Sequence, residues 1–234
     1  MTHDISTLST TDQTTGPAIK PVWIAIPLVL ALLVGGTLGW LFARSDFPGD
    51  DSSDAGFARD MSTHHAQAVR MAGIVYRRTD DEQIRWLAYD ILTTQQAQIG
   101  VMGAWLDEWG LSPTGLDKPM TWMGHPVDGL MPGMATEEEI QSLETLPVDQ
   151  MNQEFLRLMI VHHQSGVEMA QACMDMCKDQ DVLDLTSAIV PGQAGEIVLM
   201  NEILARLGAT PVDTETGSDG HDMSDMDMSA TPTP

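Results

Sequence analysis

Between residues 57 and 208 the apolar positions of the chain recur at spacings of three and four. Phe57, Met61, His64, Ala68, Met71 and Val75 follow one another in this way, which is the period of one face of an α-helix. The stretch Thr-Asp-Asp-Glu at 79–82 breaks the run, with Thr79 and Glu82 spaced as a capping box, and a second helix is expected to run to Trp109 and stop at Gly110. The same order of elements returns later: a helix capped by Asp149 and reaching about Cys177, then one from about Asp181 to Leu207 that stops at Gly208. Pro191 is expected to kink or interrupt that last helix. Residues 111–150 connect the two pairs through the Gly/Pro-rich segment "KPMTWMGHPVDGLMPGM" and a short helix opened by Thr136 and Glu139.

The return is a repeat. Sliding the chain on itself by 98 residues aligns 57–110 with 155–208 without a gap, with 16 identities in 54 positions. They include Phe57/Phe155, Met61/Met159, His64/His162, His65/His163, Met71/Met169, Gln95/Gln193, Met102/Met200 and Gly110/Gly208. A lone helical hairpin cannot bury its apolar stripe, so two such hairpins are expected to pack on each other as an all-α four-helix bundle with approximate two-fold symmetry.

One segment lies outside this pattern. Residues 21–43, "PVWIAIPLVLALLVGGTLGWLFA", carry no charge, are bounded by Lys20 and Arg44, and place Trp23 and Trp40 near the two ends. That length suits a helix crossing a hydrocarbon core about 30 Å thick, so the segment is read as one N-terminal transmembrane helix. Lys20 on one side and Arg44 with Arg59 on the other leave its orientation open on charge. The expected organisation is then a disordered cytoplasmic tail at 1–20, the anchor at 21–43, a linker at 44–56, the bundle at 57–208 and a disordered Met/Asp-rich tail at 209–234.

Composition narrows the function. Asp and Glu number 34 against 11 Lys and Arg, a formal net charge of -23, which argues against nucleic acid as a partner and suits cations or plain solubility. Methionine is abundant, at 17 of 234 residues, and thioethers serve both as fillers of irregular cores and as soft metal ligands. The two cysteines, Cys173 and Cys177, form no disulfide framework, and a bond between them is expected to strain a helix.

The candidate chemistry sits on the buried stripe. A helix turns about 100° per residue, so His64 and Met71 lie within about 20° of one another, as do His162 and Met169. Met61 and Met159 stand one turn before the paired histidines. Two-fold packing brings His64 and His65 towards His162 and His163, and four imidazoles in one core require hydrogen-bond partners or a metal. The candidate metal ligands are Met61, His64, His65, Met71, Met159, His162, His163 and Met169. Imidazole with thioether and few inward carboxylates favours copper, with zinc the alternative through imidazole alone. Gln95 and Gln193 are the candidate partners that orient the histidines. Auxiliary soft atoms are expected from Cys173 and Cys177 on the same stripe, from His125 in the loop, and from His221, Met223, Met226 and Met228 in the tail.

At these residues the chain resembles the bacterial family called domain of unknown function 305, marked by a Met-x-x-His-His segment followed by Met-Ala. It is present as "MSTHHAQAVRMA" and "MIVHHQSGVEMA". The resemblance covers about 57–208 and implies a ferritin-like four-helix bundle, exported or membrane-anchored, with copper binding by the Met and His residues above. It also places the bundle on the extracytoplasmic side of the cell membrane. The Glu-x-x-His pair of ferritin-like di-iron proteins is absent, and no nucleophile with a paired base or phosphate loop is visible, so no catalytic residue is assigned.

The leading expectation is thus a membrane-anchored, extracytoplasmic protein for copper sequestration, tolerance or delivery, binding a metal ion rather than catalysing a reaction. The alternatives are a cell-envelope structural or assembly subunit whose histidines are only hydrogen-bonded, and a copper-dependent redox enzyme. No protein partner and no oligomeric state follow from the sequence.

Overall fold

The computed structural model describes residues 29–37 and 47–213. Residues 29–37 are helical and exposed, and belong to a unit separate from the one that begins at Phe47. The rest of the expected anchor at 21–43, and the tail beyond 213, lie outside the described residues. Among the described residues, α5 (below) is the one helix long and apolar enough to cross a membrane by length and composition, and it contributes buried residues to the folded unit.

The folded unit is all-α. Four long helices carry it: α1 (Ser53–Arg78), α2 (Glu82–Glu108), α4 (Val148–Met176) and α5 (Gln180–Arg206). A single 3-10 turn at Thr121–Met123 and the short α3 (Glu137–Thr145) lie in the connection. No strand occurs among the described residues. α1 packs along α2, α4 along α5, and the two hairpins meet where α1 lies against α4.

The helix ends follow from local chemistry. Ser52 caps α1 by accepting from the Ala55 amide at 3.1 Å, so the helix opens inside the expected linker, and Asp54 in its first turn suits the N-terminal dipole. The cap of α2 is Asp81 rather than Thr79: its carboxylate takes the Gln83 and Ile84 amides at 3.0 and 3.1 Å. Asp179 does the same for α5, accepting from Asp181 and Val182. α4 starts at Val148 after Pro147, which leaves Asp149 in its first turn instead of at its cap. Gly110 and Gly208, at φ 70° and 71°, close α2 and α5 in the left-handed conformation that glycine adopts most readily. Thr136 and Glu139 form the expected capping box of α3.

Two expectations are corrected. α5 is not interrupted at Pro191: the proline lies on the exposed face, where water can meet the carbonyl left without a helical partner. Cys173 and Cys177 are joined in a disulfide with Cα atoms 4.9 Å apart. The helix ends at Met176 and Cys177 is already extended, at φ −75° and ψ 159°, which lifts the restriction that two helical positions impose.

α1 and α4 cross antiparallel. The Asp54 carboxylate at the start of α1 accepts from the Lys178 and Asp179 amides just past the end of α4, both at 2.9 Å. Met61 shares one apolar cluster with Met169 and Cys173, while Met71 shares the other with Phe155 and Met159. The histidine pairs fall between these two clusters.

The connection closes one side of the unit. Asp60 on α1 accepts from the Met120 amide at 2.7 Å and the Trp122 indole N–H at 2.9 Å, and the Trp122 ring meets Phe57 edge-on. Gly56 leaves the room that Trp122 occupies, since a Cβ there would stand 2.6 Å from it. Further along, Gln67 clamps Ala135 from both sides of its amide, accepting at 2.7 Å and donating at 2.9 Å.

Candidate functional site

His64, His65, His162 and His163 are all fully buried, on the facing stripes of α1 and α4. The rings of His64 and His162 stack with centroids 3.7 Å apart and planes inclined by 29°. The His163 ring lies 6.2 Å from that of His162.

Three of the four rings are held by an acceptor oxygen at Nε2. His65 donates to Gln98 Oε1 at 2.7 Å, His162 to the His64 carbonyl at 3.1 Å, and His163 to Glu196 Oε2 at 2.8 Å. A neutral imidazole that donates at Nε2 carries a lone pair at Nδ1. For all three that Nδ1 is buried and no protein group donates to it; at His64 neither nitrogen has a partner in good hydrogen-bond geometry, the Pro132 carbonyl being the acceptor near the ring. Five ring nitrogens are therefore buried without a formed hydrogen bond, one of the two on His64 being an N–H, and each unmade bond costs about 1–3 kcal/mol.

Burial holds three of the rings, His64, His65 and His162, neutral. Burial pushes His64 down to about 3, with the neighbouring His65 and His163 adding to the effect and the Pro132 carbonyl opposing it. Burial takes His65 to about 4, against the pull of the Gln98 hydrogen bond, and puts His162 well below the usual imidazole value. Neutral imidazoles keep the lone pairs that a metal requires.

The methionines expected as ligands flank the histidines in two pairs. Met61 and Met169 lie together on the side of the disulfide, and Met71 and Met159 on the other, all essentially without exposure. Among the described residues no three His, Cys, Asp or Glu side chains converge as a ready ligand set. Thioether and imidazole side chains lie together here, and the two together are the donor types that soft ions favour.

The remaining expectations divide. The sulfurs of Cys173 and Cys177 are taken up by their mutual bond, so neither is a thiolate ligand in this state. His125 is exposed in the loop. His221, Met223, Met226 and Met228 lie outside the described residues. Gln95 and Gln193 are buried, but neither bonds a histidine: both Gln95 amide atoms and Gln193 Oε1 have no partner. That part is taken by Gln98 and Glu196, three residues further along α2 and α5, which a search for identical repeat positions passes over because one is an amide and the other a carboxylate. With Thr94 and Gly192, these four side chains line a cleft of about 80 Å³ between α2 and α5. A larger cavity of about 440 Å³ lies beside the loop, between Asp50, Arg59, Asp60 and Trp122. The Arg59 guanidinium there is occupied by Asp50 and the Ser112 carbonyl.

Comparison with known proteins supplies a context for this geometry. Residues 54–204 match the family described as domain of unknown function (DUF305). The crystal structure of a DUF305 protein of Streptomyces coelicolor, taken to be secreted, is 48% identical with a TM-score of 0.67, covering 70% of this chain and 99% of that one. A DUF305 fragment from Deinococcus radiodurans is 38% identical with a TM-score of 0.57, covering 66% of this chain and 96% of that one. CopM in its Cu(II)-bound form is 25% identical with a TM-score of 0.50, covering 65% of this chain and 96% of that one. An uncharacterized protein of Acanthamoeba polyphaga mimivirus is 38% identical over 55 residues, 24% of this chain and 36% of the relative's length.

Proposed function

The chain belongs to the DUF305 family, and we propose that it is a membrane-anchored, extracytoplasmic protein that binds copper for sequestration, tolerance or delivery. The observation that carries this reading is the set of buried imidazoles whose Nδ1 atoms meet no donor, and among them His64, which has neither nitrogen in a well-formed hydrogen bond. A core that only needed to pack would not retain them, because an apolar side chain of similar size avoids the desolvation cost.

The residues that would hold copper are His64, His65, His162 and His163, with Met61, Met169, Met71 and Met159 as thioether donors above and below. Imidazole and thioether together favour copper, Cu(I) above all, over hard divalent ions. The likeness to CopM, solved with Cu(II) bound, supports the same choice. What the chain itself does is orient the donors: Gln98, the His64 carbonyl and Glu196 each hold one imidazole by its Nε2, and burial keeps His65 and His162 unprotonated. The Met120–Ala135 stretch, pinned by Asp60 and Gln67, shuts water out from the loop side.

Extracytoplasmic placement is supported by the disulfide, which belongs to oxidising compartments, and by the Streptomyces coelicolor relative taken to be secreted. The uncharged stretch at 21–43 supports the anchor.

The test is an anaerobic titration of the purified full chain with Cu(I) against a competing chelator, repeated with His64→Ala combined with His162→Ala. The native chain should withdraw copper and the double variant should not. A native chain that leaves all copper on the chelator, or a double variant that binds as well as the native chain, returns the histidines to a structural role.

A further inference from the structure

Resting on the metal-binding reading above, we propose that Glu196 sets which ion this core prefers and which half of it binds first. Its carboxylate holds His163 with Nδ1 free and supplies the single negative charge that a monovalent soft cation needs.

The two halves of the core make a natural comparison. His65 and Gln98 are 33 residues apart, as are His163 and Glu196, and in each pair Nε2 meets a side-chain oxygen, at 2.7 and 2.8 Å. In both, Nδ1 is buried without a partner. The geometry is therefore matched and the difference is charge: an amide oxygen in one half, a carboxylate in the other. A carboxylate draws the Nε2 proton towards itself more strongly than an amide does, which enriches Nδ1 in electron density and makes it the better donor. His163 is on this account the stronger base of the two towards a metal, and the half built on α4 and α5 loads before the half built on α1 and α2.

Charge balance gives the preference among ions. A cation entering this core gives up its hydration, and neutral imidazole and thioether do not cancel its charge. Among the described residues Glu196 is the one carboxylate that hydrogen-bonds any of the four histidines. One negative charge compensates a monovalent ion and leaves a divalent ion half uncompensated. The Glu196 side chain is 26% exposed, at the cleft it shares with the unpartnered Gln95 amide and Gln193 Oε1, so the carboxylate keeps part of its hydration while its oxygen reaches a fully buried ring.

The test uses the full chain with Ag(I) and Zn(II), two redox-inert ions of charge one and two, in competition titrations. Glu196→Gln keeps an acceptor oxygen for His163 and removes only the charge. It should weaken the first Ag(I) bound by about tenfold, the lower end of what loss of such a partner costs, while helix content and thermal stability of the metal-free protein stay unchanged. Gln98→Glu adds a second carboxylate on the other half and should shift the Zn(II) to Ag(I) affinity ratio towards Zn(II) by a similar factor. Unchanged Ag(I) affinity in a folded Glu196→Gln chain, or an unchanged ion ratio in Gln98→Glu, overturns the assignment of Glu196. Should Glu196→Gln lose thermal stability, the Gln98→Glu ratio decides alone. A native chain that binds neither ion overturns the metal-binding reading instead, so the two failures are distinct.

Discussion

His64 and His162 lie 98 residues apart in the chain and stack face to face in the core, ring centroids 3.7 Å apart, with the His162 Nε2–H donated to the His64 backbone carbonyl. The pair locks α1 to α4 at the crossing of the two hairpins, yet the His64 ring itself makes no well-formed hydrogen bond and has only the Pro132 carbonyl near it. A side chain kept in that state lowers the stability of the metal-free protein.

Replacing it should show this. His64→Leu preserves the backbone carbonyl that His162 uses and exchanges two unpaired nitrogens for apolar surface of similar volume. The metal-free variant should be more stable than the native chain by about 1–3 kcal/mol in urea denaturation, and should lose the rise in melting temperature that Cu(I) gives the native chain. A metal-free variant less stable than the native protein would mean that the stack on His162 and the Pro132 carbonyl outweigh the cost of the unpaired nitrogens.

Acid should unfold the metal-free protein through the same core. Burial lowers His64 to about 3 and His65 to about 4, and carries His162 well below its ordinary 6.5. As pH falls from 6.5 the unfolded chain takes up protons that the folded core refuses. Stability is thus fully present above pH 6.5 and is lost on acidification, by about 2 kcal/mol per histidine at pH 5. Urea midpoints measured from pH 8 to pH 4.5 test the slope, which should flatten in His64→Leu. A flat profile for the native chain between pH 7 and 5 would show that the imidazoles reach water.

How much of this was legible beforehand depended on what kind of information each feature carries. Periodicity identified four long helices because each buries one stripe, and the 98-residue offset brought His64 to His162 and His65 to His163 because the rare residue types fell in register. The caps were less legible: Thr79, Asp80 and Asp81 all accept hydrogen bonds, and only the backbone path chose Asp81. The disulfide depended on where α4 ends, one residue before Cys177, which no spacing rule decides. Gln98 and Glu196 were hidden because they differ between the halves, and their part was assigned instead to Gln95 and Gln193, one turn away on the same face. A search for identity finds what two halves share and overlooks what distinguishes them.

The loop that covers the histidines should be sensitive at one glycine. Gly133 has φ 74°, and a Cβ there would stand 2.6 Å from Ser165 Cβ and 2.8 Å from the Val161 carbonyl, both on α4 beside the histidine pair. Gly133→Ala combines backbone strain with a clash against main chain that cannot yield, and should cost about 2 kcal/mol or more. Hydrogen exchange is the sharper measurement: the Ala135 amide, held by Gln67, should lose protection in the variant while amides in the middle of α1 and α4 keep theirs. Equal protection of Ala135 in both proteins would show that the loop accommodates the methyl group without leaving α4.

The disulfide provides a test that separates support of the fold from support of the site. Cys173 is packed among Met61, Met169 and Ala170, and Cys177 sits where the chain leaves α4 for α5, so the bond pins the end of the helix that carries His162 and His163. It closes a loop of only a few residues, for which the loss of unfolded-chain entropy corresponds to about 2 kcal/mol. Cys173→Ala with Cys177→Ala should lower stability by roughly that amount. If the sulfurs take no part in binding, the Cu(I) stoichiometry of the folded double variant should equal that of the native chain under oxidising conditions. Adding a dithiol reductant distinguishes the two roles further. It should change the native chain's stability and leave the double variant's untouched, and a reductant-dependent gain in Cu(I) stoichiometry seen only in the native chain would return Cys173 and Cys177 to the ligand set.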